Sequence, residues 1–370
     1  MKIISHSSHY EIYPDDVKTS DLLPPQTYIV RFNKMSGFFL EKGTDLKNQE
    51  EKIYGPHLSK VDKVLGTYSM FERSLGIIAS GDKGIGKSLF IQLLSERTIA
   101  QGIPVIIVKT AYFGIADFLD SIEQEVLVLF DEFEKVFDED DDNCESQGAL
   151  LGLFDGMSQQ KRLYALTVNN LNKMSEFMLN RPGRFHYHFR FDYPDASEVT
   201  EYLEDKLSTK YHEAINDVVI FSSKIGLNYD CLRAIAFELN LGTPFKEAIK
   251  DLNIMNFTNE RYDVTFELSD GTFERFEDKI VDLFTDSEEL TYYLSRNRGR
   301  ISVAFNPKKL VVDPITGIFS ADSSNFISSE FIPEREYDEN DNLIVSKEPA
   351  VTLDKIFIKK DKSASLAYAV

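Results

Sequence analysis

The chain has 370 residues, 42% hydrophobic and 28% charged, with a formal net charge of −20 and two cysteines, Cys144 and Cys231. That length implies two or three domains, and that balance supports a globular core without metals or disulfides. The negative field disfavours sequence-independent coating of nucleic acid, and two cysteines without metal-ligand spacing point to a reducing compartment.

Residues 1–60 read as a small mixed region, in which Tyr28, Val30 and Phe32 alternate with polar neighbours as on a half-buried strand. Thr44 to Glu51 reads as a charged loop, and Val61, Val64 and Leu65 have the spacing of a short amphipathic helix. Residues 61–196 then alternate strands and helices. Strands are expected at 76–80, 105–108, 126–130, 163–167 and 187–191, and helices at 87–101 and from 118. Val126 to Phe130 is apolar at every position, as in a parallel strand covered on both faces. The expected core is therefore α/β with a parallel five-stranded sheet. Residues 197–256 carry helical spacing and form an expected helical lid. Residues 257–370 read as β-rich, with a hairpin turn at Ser269-Asp270-Gly271 and turn clusters at 313–317 and 338–342. Further strands are expected there at 301–305, 310–312, 343–345 and 356–358. The N-terminus lacks a signal-like apolar stretch, and no run of about 18 apolar residues occurs, so no membrane association is expected.

Gly81-Asp82-Lys83-Gly84-Ile85-Gly86-Lys87-Ser88 fits G-x-x-x-x-G-K-[ST] between an apolar strand and an amphipathic helix that continues with Leu89. Glycines let backbone N–H groups converge on a phosphate, and the helix N-terminus adds about half a positive charge. Lys87 is expected on the β- and γ-phosphates of ATP, and Ser88 on Mg²⁺. The strand ending at Phe130 delivers Asp131 and Glu132 beside this loop. Asp131 is the expected water-mediated Mg²⁺ ligand, and Glu132 the general base for the attacking water.

Leu166-Thr167-Val168-Asn169-Asn170 and then Met178 to Phe185, which contains Arg181-Pro182-Gly183-Arg184, resemble the second region of homology of AAA ATPases. The resemblance covers roughly residues 54–255. It implies that Asn169 contacts the γ-phosphate or the lytic water. It implies that Arg181 and Arg184 act on a neighbouring subunit's site, so the chain is expected to form a homo-oligomer, with a hexamer favoured. Arg233 occupies the place of a second sensor in the lid, or is a plain surface helix residue. Tyr112-Phe113-Gly114 matches the aromatic pore loop of unfoldases; the other reading packs both rings under the following helix.

The acidic run 138–142 reads as a solvated loop rather than a Ca²⁺ site, and His186 and His188 as strand residues rather than a metal pair. The basic cluster Arg296 to Arg300 reads as a turn rather than a nucleic-acid contact. The expected function is an ATPase that remodels a macromolecule, protein being favoured over nucleic acid. The alternatives are a nucleotide-gated assembly protein with slow hydrolysis and a DNA replication or packaging motor subunit. The expected compartment is the cytoplasm. The absence of tryptophan and the unfamiliar flanking regions suggest a phage-encoded chain, for which that means the host's cytoplasm.

Overall fold

The computed structural model describes residues 2–6, 9–13, 18, 20–48, 52–138, 144–155, 160–179, 181–254, 261–281, 283, 290–296, 299–313, 316–322, 328–333, 336–337, 343–344 and 351–360. The acidic run beyond Asp138, Asn180, the middle of the basic cluster at 297–298, residues 314–315 of one turn cluster, the whole 338–342 cluster and Val345 lie outside them. Two compact units divide the chain, residues 1–192 and 193–370.

In the first unit, β1 (Lys2–His6) and β2 (His9–Tyr13) pair as an antiparallel hairpin. The elements that follow are β3 (Thr27–Asn33), β4 (Gly37–Lys42), α1 (His57–Met70), β5 (Leu75–Ser80), α2 (Lys87–Ala100), β6 (Val105–Val108), α3 (Ile115–Asp120), β7 (Leu127–Phe130), α4 (Phe133–Val136), α5 (Leu151–Phe154), β8 (Leu163–Val168) and β9 (Tyr187–Arg190). One seven-stranded sheet has the order β4-β3-β6-β7-β8-β5-β9, parallel throughout except for the β3–β4 pair.

This sheet corrects the expected five strands. The five were all read within residues 61–196; the other two come from the N-terminal region. There β3 pairs in parallel with β6 from Thr27 to Ile29, and β4 returns through a turn where Gly37 holds φ +75°. Tyr28 and Val30 are buried and join one core with Val128, Phe130, Tyr164 and Phe154. Nothing in the local alternation of residues 28–32 specifies which strand they pair with. A second correction concerns the helix expected from 118, which begins at Ile115. Gly114, at φ +81°, supplies its left-handed N-cap, and the Glu145 carboxylate accepts the Gly114 N–H at 2.8 Å.

All strands from β5 to β8 are buried along their whole length. Apolar side chains on both faces of a parallel sheet require cover on both sides. The loops at the carboxyl ends of β5, β7 and β8 are thereby held on a rigid platform.

The second unit opens with α6 (Ala196–Lys206), α7 (Ile215–Lys224), α8 (Tyr229–Asn240) and α9 (Phe245–Asp251). Their apolar stripes, such as Leu232, Ile235, Ala236 and Leu239 on α8, are buried. Asp195 and Asn228 cap α6 and α8 by accepting N–H groups of the first turn. The remainder is antiparallel β: β10 (Arg261–Leu268), β11 (Phe273–Ile280), β12 (Leu290–Arg296), β13 (Gly299–Phe305), β14 (Val311–Val312), β15 (Phe319–Asp322), β16 (Ser328–Pro333), β17 (Glu336–Tyr337), β18 (Leu343–Ile344) and β19 (Leu353–Lys360). A five-stranded sheet, β11-β10-β19-β15-β14, and a three-stranded sheet, β12-β13-β16, share one core around Tyr262, Phe266, Phe305 and Phe319. No helix among the described residues is long and apolar enough to cross a membrane.

Candidate functional site

The glycine-rich loop leaves β5 at Ser80 and enters α2 at Lys87. Gly81, Gly84 and Gly86 all hold positive φ, at 140°, 80° and 94°. Two of them have a steric reason beyond φ. A Cβ on Gly81 would lie 2.3 Å from the Phe191 carbonyl oxygen, and one on Gly86 would lie 2.4 Å from Nε2 of His57. His57 is 3% exposed, and its Nδ1–H donates to the Tyr54 carbonyl at 3.0 Å. A carbonyl can only accept, so the proton sits on Nδ1, and Nε2 faces the loop without it. Ile85 is buried, whereas Asp82, Lys83 and Gly84 face solvent.

Lys87 is buried, and its Nζ donates to the Gly81 and Asp82 carbonyls at 2.6 Å each. Burial lowers its pKa, and the negative charges of Asp82, Glu134, Glu132 and Asp131 oppose that shift. Ser88 is exposed in the first turn of α2, and Leu89 after it is half-buried. Backbone N–H groups, an ammonium and a helix N-terminus thus converge on one concave loop, the arrangement that binds anionic phosphate.

The acid pair stands at the end of β7. Thr167, near the end of β8, ties it down: its hydroxyl donates to Asp131 Oδ1 at 2.6 Å and accepts the Glu132 N–H at 2.7 Å. Glu132 has φ +48°, a left-handed conformation that costs a non-glycine residue about 1–3 kcal/mol. That strain turns the chain sharply into α4 and projects the Glu132 side chain outward. Its Oε1 accepts from Asn169 Nδ2 at 3.1 Å and from Lys135 Nζ at 2.5 Å. The Lys135 ammonium, and after it the Asn169 carboxamide, hold the Glu132 carboxyl below the usual carboxylate range. Glu134, also on α4, is 2% exposed and accepts the Asn169 backbone N–H at 3.0 Å.

The sequence-predicted residues Lys87, Asp131, Glu132 and Asn169 are therefore neighbours at one edge of the sheet. The two arginines differ from each other. Arg181 is exposed, its guanidinium 5.8 Å from the centroid of the exposed Phe177 ring. The Arg184 side chain is 9% exposed and bonds both oxygens of Asp155, one of them at 2.6 Å from Nη2, and also the Phe177 carbonyl. This partnership holds the Asp155 carboxyl below its ordinary range.

At the candidate pore loop the two aromatics also part ways. Tyr112 packs 5.4 Å from the Phe32 ring and 6.2 Å from Phe38, both on the β3–β4 hairpin. Phe113 is 60% exposed. Glu145 clasps the loop, its carboxylate accepting from Gly114 N and its own N–H donating to the Ala111 carbonyl. Arg233 is exposed on α8 and pairs with Asp230 one turn earlier at 3.3 Å. His188 Nε2 lies 2.7 Å from Ser80 Oγ, a pairing within the sheet. Among the described residues no cluster of three or more His, Cys, Asp or Glu side chains could hold a metal.

Sequence reading assigned no role to Thr167, Glu134, Lys135, Asp155 or His57. A weak signal existed for Thr167, at the end of the expected strand and two residues before Asn169, and for Glu134, two residues beyond Glu132. Nothing local marks Asp155 or His57.

Residues 77–193 match the family model described as ATPase family associated with various cellular activities (AAA). No curated protein matches the chain. The match spans the loop, the acid pair, Asn169 and both arginines, and assigns residues 77–193 the α/β P-loop fold of that family, with its general ATPase activity and nucleotide binding.

Proposed function

Proceeding from an AAA-type ATPase domain at residues 77–193, we propose that the chain is an oligomeric ATP hydrolase that couples hydrolysis to the remodelling of a macromolecule, with protein the favoured substrate. The observation that carries the hydrolytic part is the Asn169 carboxamide bonded to the Glu132 carboxylate at 3.1 Å, beside the buried Lys87.

In this reading the backbone N–H groups of Gly84 to Lys87 and the α2 N-terminus bind the β-phosphate. Lys87 exchanges its two loop carbonyls for phosphate oxygens. Ser88 and Asp131 offer a hydroxyl and a carboxylate, the hard oxygen donors that suit Mg²⁺. When bound, Mg²⁺ neutralises charge on the phosphate oxygens. Thr167 holds Asp131 by its hydroxyl and Glu132 by its backbone, so both carboxylates keep their direction. Glu132 takes the proton of the attacking water as general base, and Asn169 orients that carboxylate and the water. Arg181 and Arg184 stabilise the charge that develops on the transferred phosphoryl group of a neighbouring subunit's site. Supplied in trans, they make turnover depend on assembly.

The test is Glu132→Gln, in full-length protein, with nucleotide affinity, turnover and solution mass recorded with and without Mg-ATP. Retained binding, lost turnover and an ATP-dependent rise in mass are expected. Unchanged turnover removes Glu132 from the chemistry, and a chain that stays monomeric with ATP bound removes the trans-acting arginines.

A second reading, a nucleotide-gated assembly protein with slow hydrolysis, is favoured by the Lys135–Glu132 ion pair. A base already engaged by an ammonium is a weaker proton acceptor. Lys135→Met turnover decides: a rise of several-fold supports this reading, and a fall supports the motor.

A further inference from the structure

Asn169 lies beyond the end of its strand. The β7–β8 ladder closes at Phe130 opposite Leu166, and the β5–β8 ladder at Ser80 opposite Val168. No rung of the sheet therefore holds the Asn169 N–H, yet the direction of its carboxamide depends on that backbone. Glu134 supplies the missing bond. Its Oε1 accepts the Asn169 N–H at 3.0 Å, while Asn169 Nδ2 donates to Glu132 Oε1 at 3.1 Å. The chain thus forms a closed circuit: Glu132 leads through the short α4 to Glu134, Glu134 holds the Asn169 backbone, and the Asn169 side chain returns to Glu132.

We propose that Glu134 is a positioning residue of the hydrolytic site, acting through Asn169 to aim the catalytic base; the proposal rests on Glu132 being that base.

Three features carry it. The carboxylate is 2% exposed, and its second oxygen, Oε2, is buried without a hydrogen-bond partner. Burying an ionisable group with one oxygen unsatisfied is costly, and such groups persist where they do something that packing alone would not require. A buried carboxylate also makes a shorter and stronger bond to an N–H than a neutral acceptor does, so it fixes geometry more tightly. The left-handed Glu132 is what allows this: φ +48° bends the chain so that residues two apart reach opposite ends of the same asparagine. Thr167 performs the matching task one step earlier, bonding Asp131 and the Glu132 N–H. The tips of β7 and β8 are laced by side chains where the ladder stops, and Glu134 is the lace that reaches the sensor.

The experiment compares Glu134→Leu, Glu134→Gln, Asn169→Ala and the Glu134→Leu/Asn169→Ala double variant in the full chain. Fluorescent ATP affinity and steady-state turnover are measured for each. Glu134→Leu is expected to bind nucleotide within about twofold of the parent and to lose turnover by about 10- to 100-fold, the size of one lost bond to a charged group. Glu134→Gln, whose carbonyl accepts the same N–H, recovers most of that loss. The double variant is no slower than Asn169→Ala alone, because both act on one path. If Glu134→Leu does not fold, Glu134→Asp, one methylene short of the Asn169 N–H, carries the same expectation. Unchanged turnover in these variants, equal losses of binding and turnover, or losses that multiply in the double variant each overturn the proposal. Glu132→Gln is assayed in parallel. If it is inactive while Glu134→Leu is unaffected, only the positioning role falls; if it is fully active, the base assignment itself falls.

Discussion

Arg184 and Asp155, 29 residues apart, form a two-pronged guanidinium–carboxylate pair within one chain. Arg181, three residues before, faces solvent over Phe177. Two arginines with the same expected role thus start from different positions: one is held within its own chain, the other is exposed.

Replacing either arginine by alanine is expected to leave nucleotide affinity unchanged and to lower turnover by about 10³-fold. Only Arg184→Ala is expected to lower Tm as well, because the Arg184 side chain is largely buried and its bonds to Asp155 and the Phe177 carbonyl are lost with it. Mixing either variant with Lys87→Ala should recover part of the turnover, since each supplies what the other lacks. Recovery in neither mixture, at concentrations where the parent assembles, argues against action in trans.

Gly86→Ala is expected to lose nucleotide binding and to destabilise the first unit by about 1–3 kcal/mol for its φ of 94° alone. The added Cβ also meets His57 Nε2, and that ring cannot withdraw without giving up its bond to Tyr54. His57→Ala in the same chain relieves the contact but not the backbone strain. Thermal denaturation should therefore show partial and not full recovery. Full recovery would assign the whole effect to the contact.

Two histidines give the fold a pH dependence of defined sign. Burial, with the Arg190 charge, pushes His188 down to about 4, and burial likewise lowers His57 from its ordinary 6.5. Both take up a proton in the unfolded chain near pH 6.5 and resist it in the folded one. Their contribution is complete above pH 6.5 and declines as pH falls from there, that of His188 down to about 4. Urea midpoints at pH 7.5 and pH 5 should differ in that direction, and His188→Gln should flatten the difference. An equal slope in the variant removes His188 from the effect.

The pore-loop aromatics are separable by the same logic of contacts. Tyr112→Ala removes packing against Phe32 and Phe38 and should cost about 1–3 kcal/mol of stability. Phe113→Ala, at an exposed position, should stay within about 0.5 kcal/mol of the parent. If the loop grips a polypeptide, Phe113→Ala loses stimulation of turnover by unfolded protein while basal turnover persists. Full stimulation in that variant leaves the loop with a packing role alone.

The phosphate loop and the acid pair were legible in the sequence because each sits within a short run whose chemistry demands those residue types, whereas Asn169 was singled out only by the resemblance to the second region of homology of AAA ATPases. Gly81 to Ser88 must be contiguous for its N–H groups to converge, and an acid after an all-apolar strand must emerge at the strand's carboxyl end. The four apolar strands at 76–80, 105–108, 126–130 and 163–167 were legible for the same local reason. The strands of the N-terminal region were not assigned to the sheet, because alternation at 28–32 does not say which neighbour is paired; of the three residues it set on one buried face, Tyr28 and Val30 are buried and Phe32 is exposed. The partners that tune the site were hidden in the same way. Asp155 reaches Arg184 across 29 residues, Glu134 reaches Asn169 across 35, and His57 meets Gly86 from the start of a separate helix. Side-chain bonds between distant segments leave no period in the sequence. Only the closing of the parallel sheet brings the tips of β5, β7 and β8 together, and with them the groups that decide how each functional side chain is held.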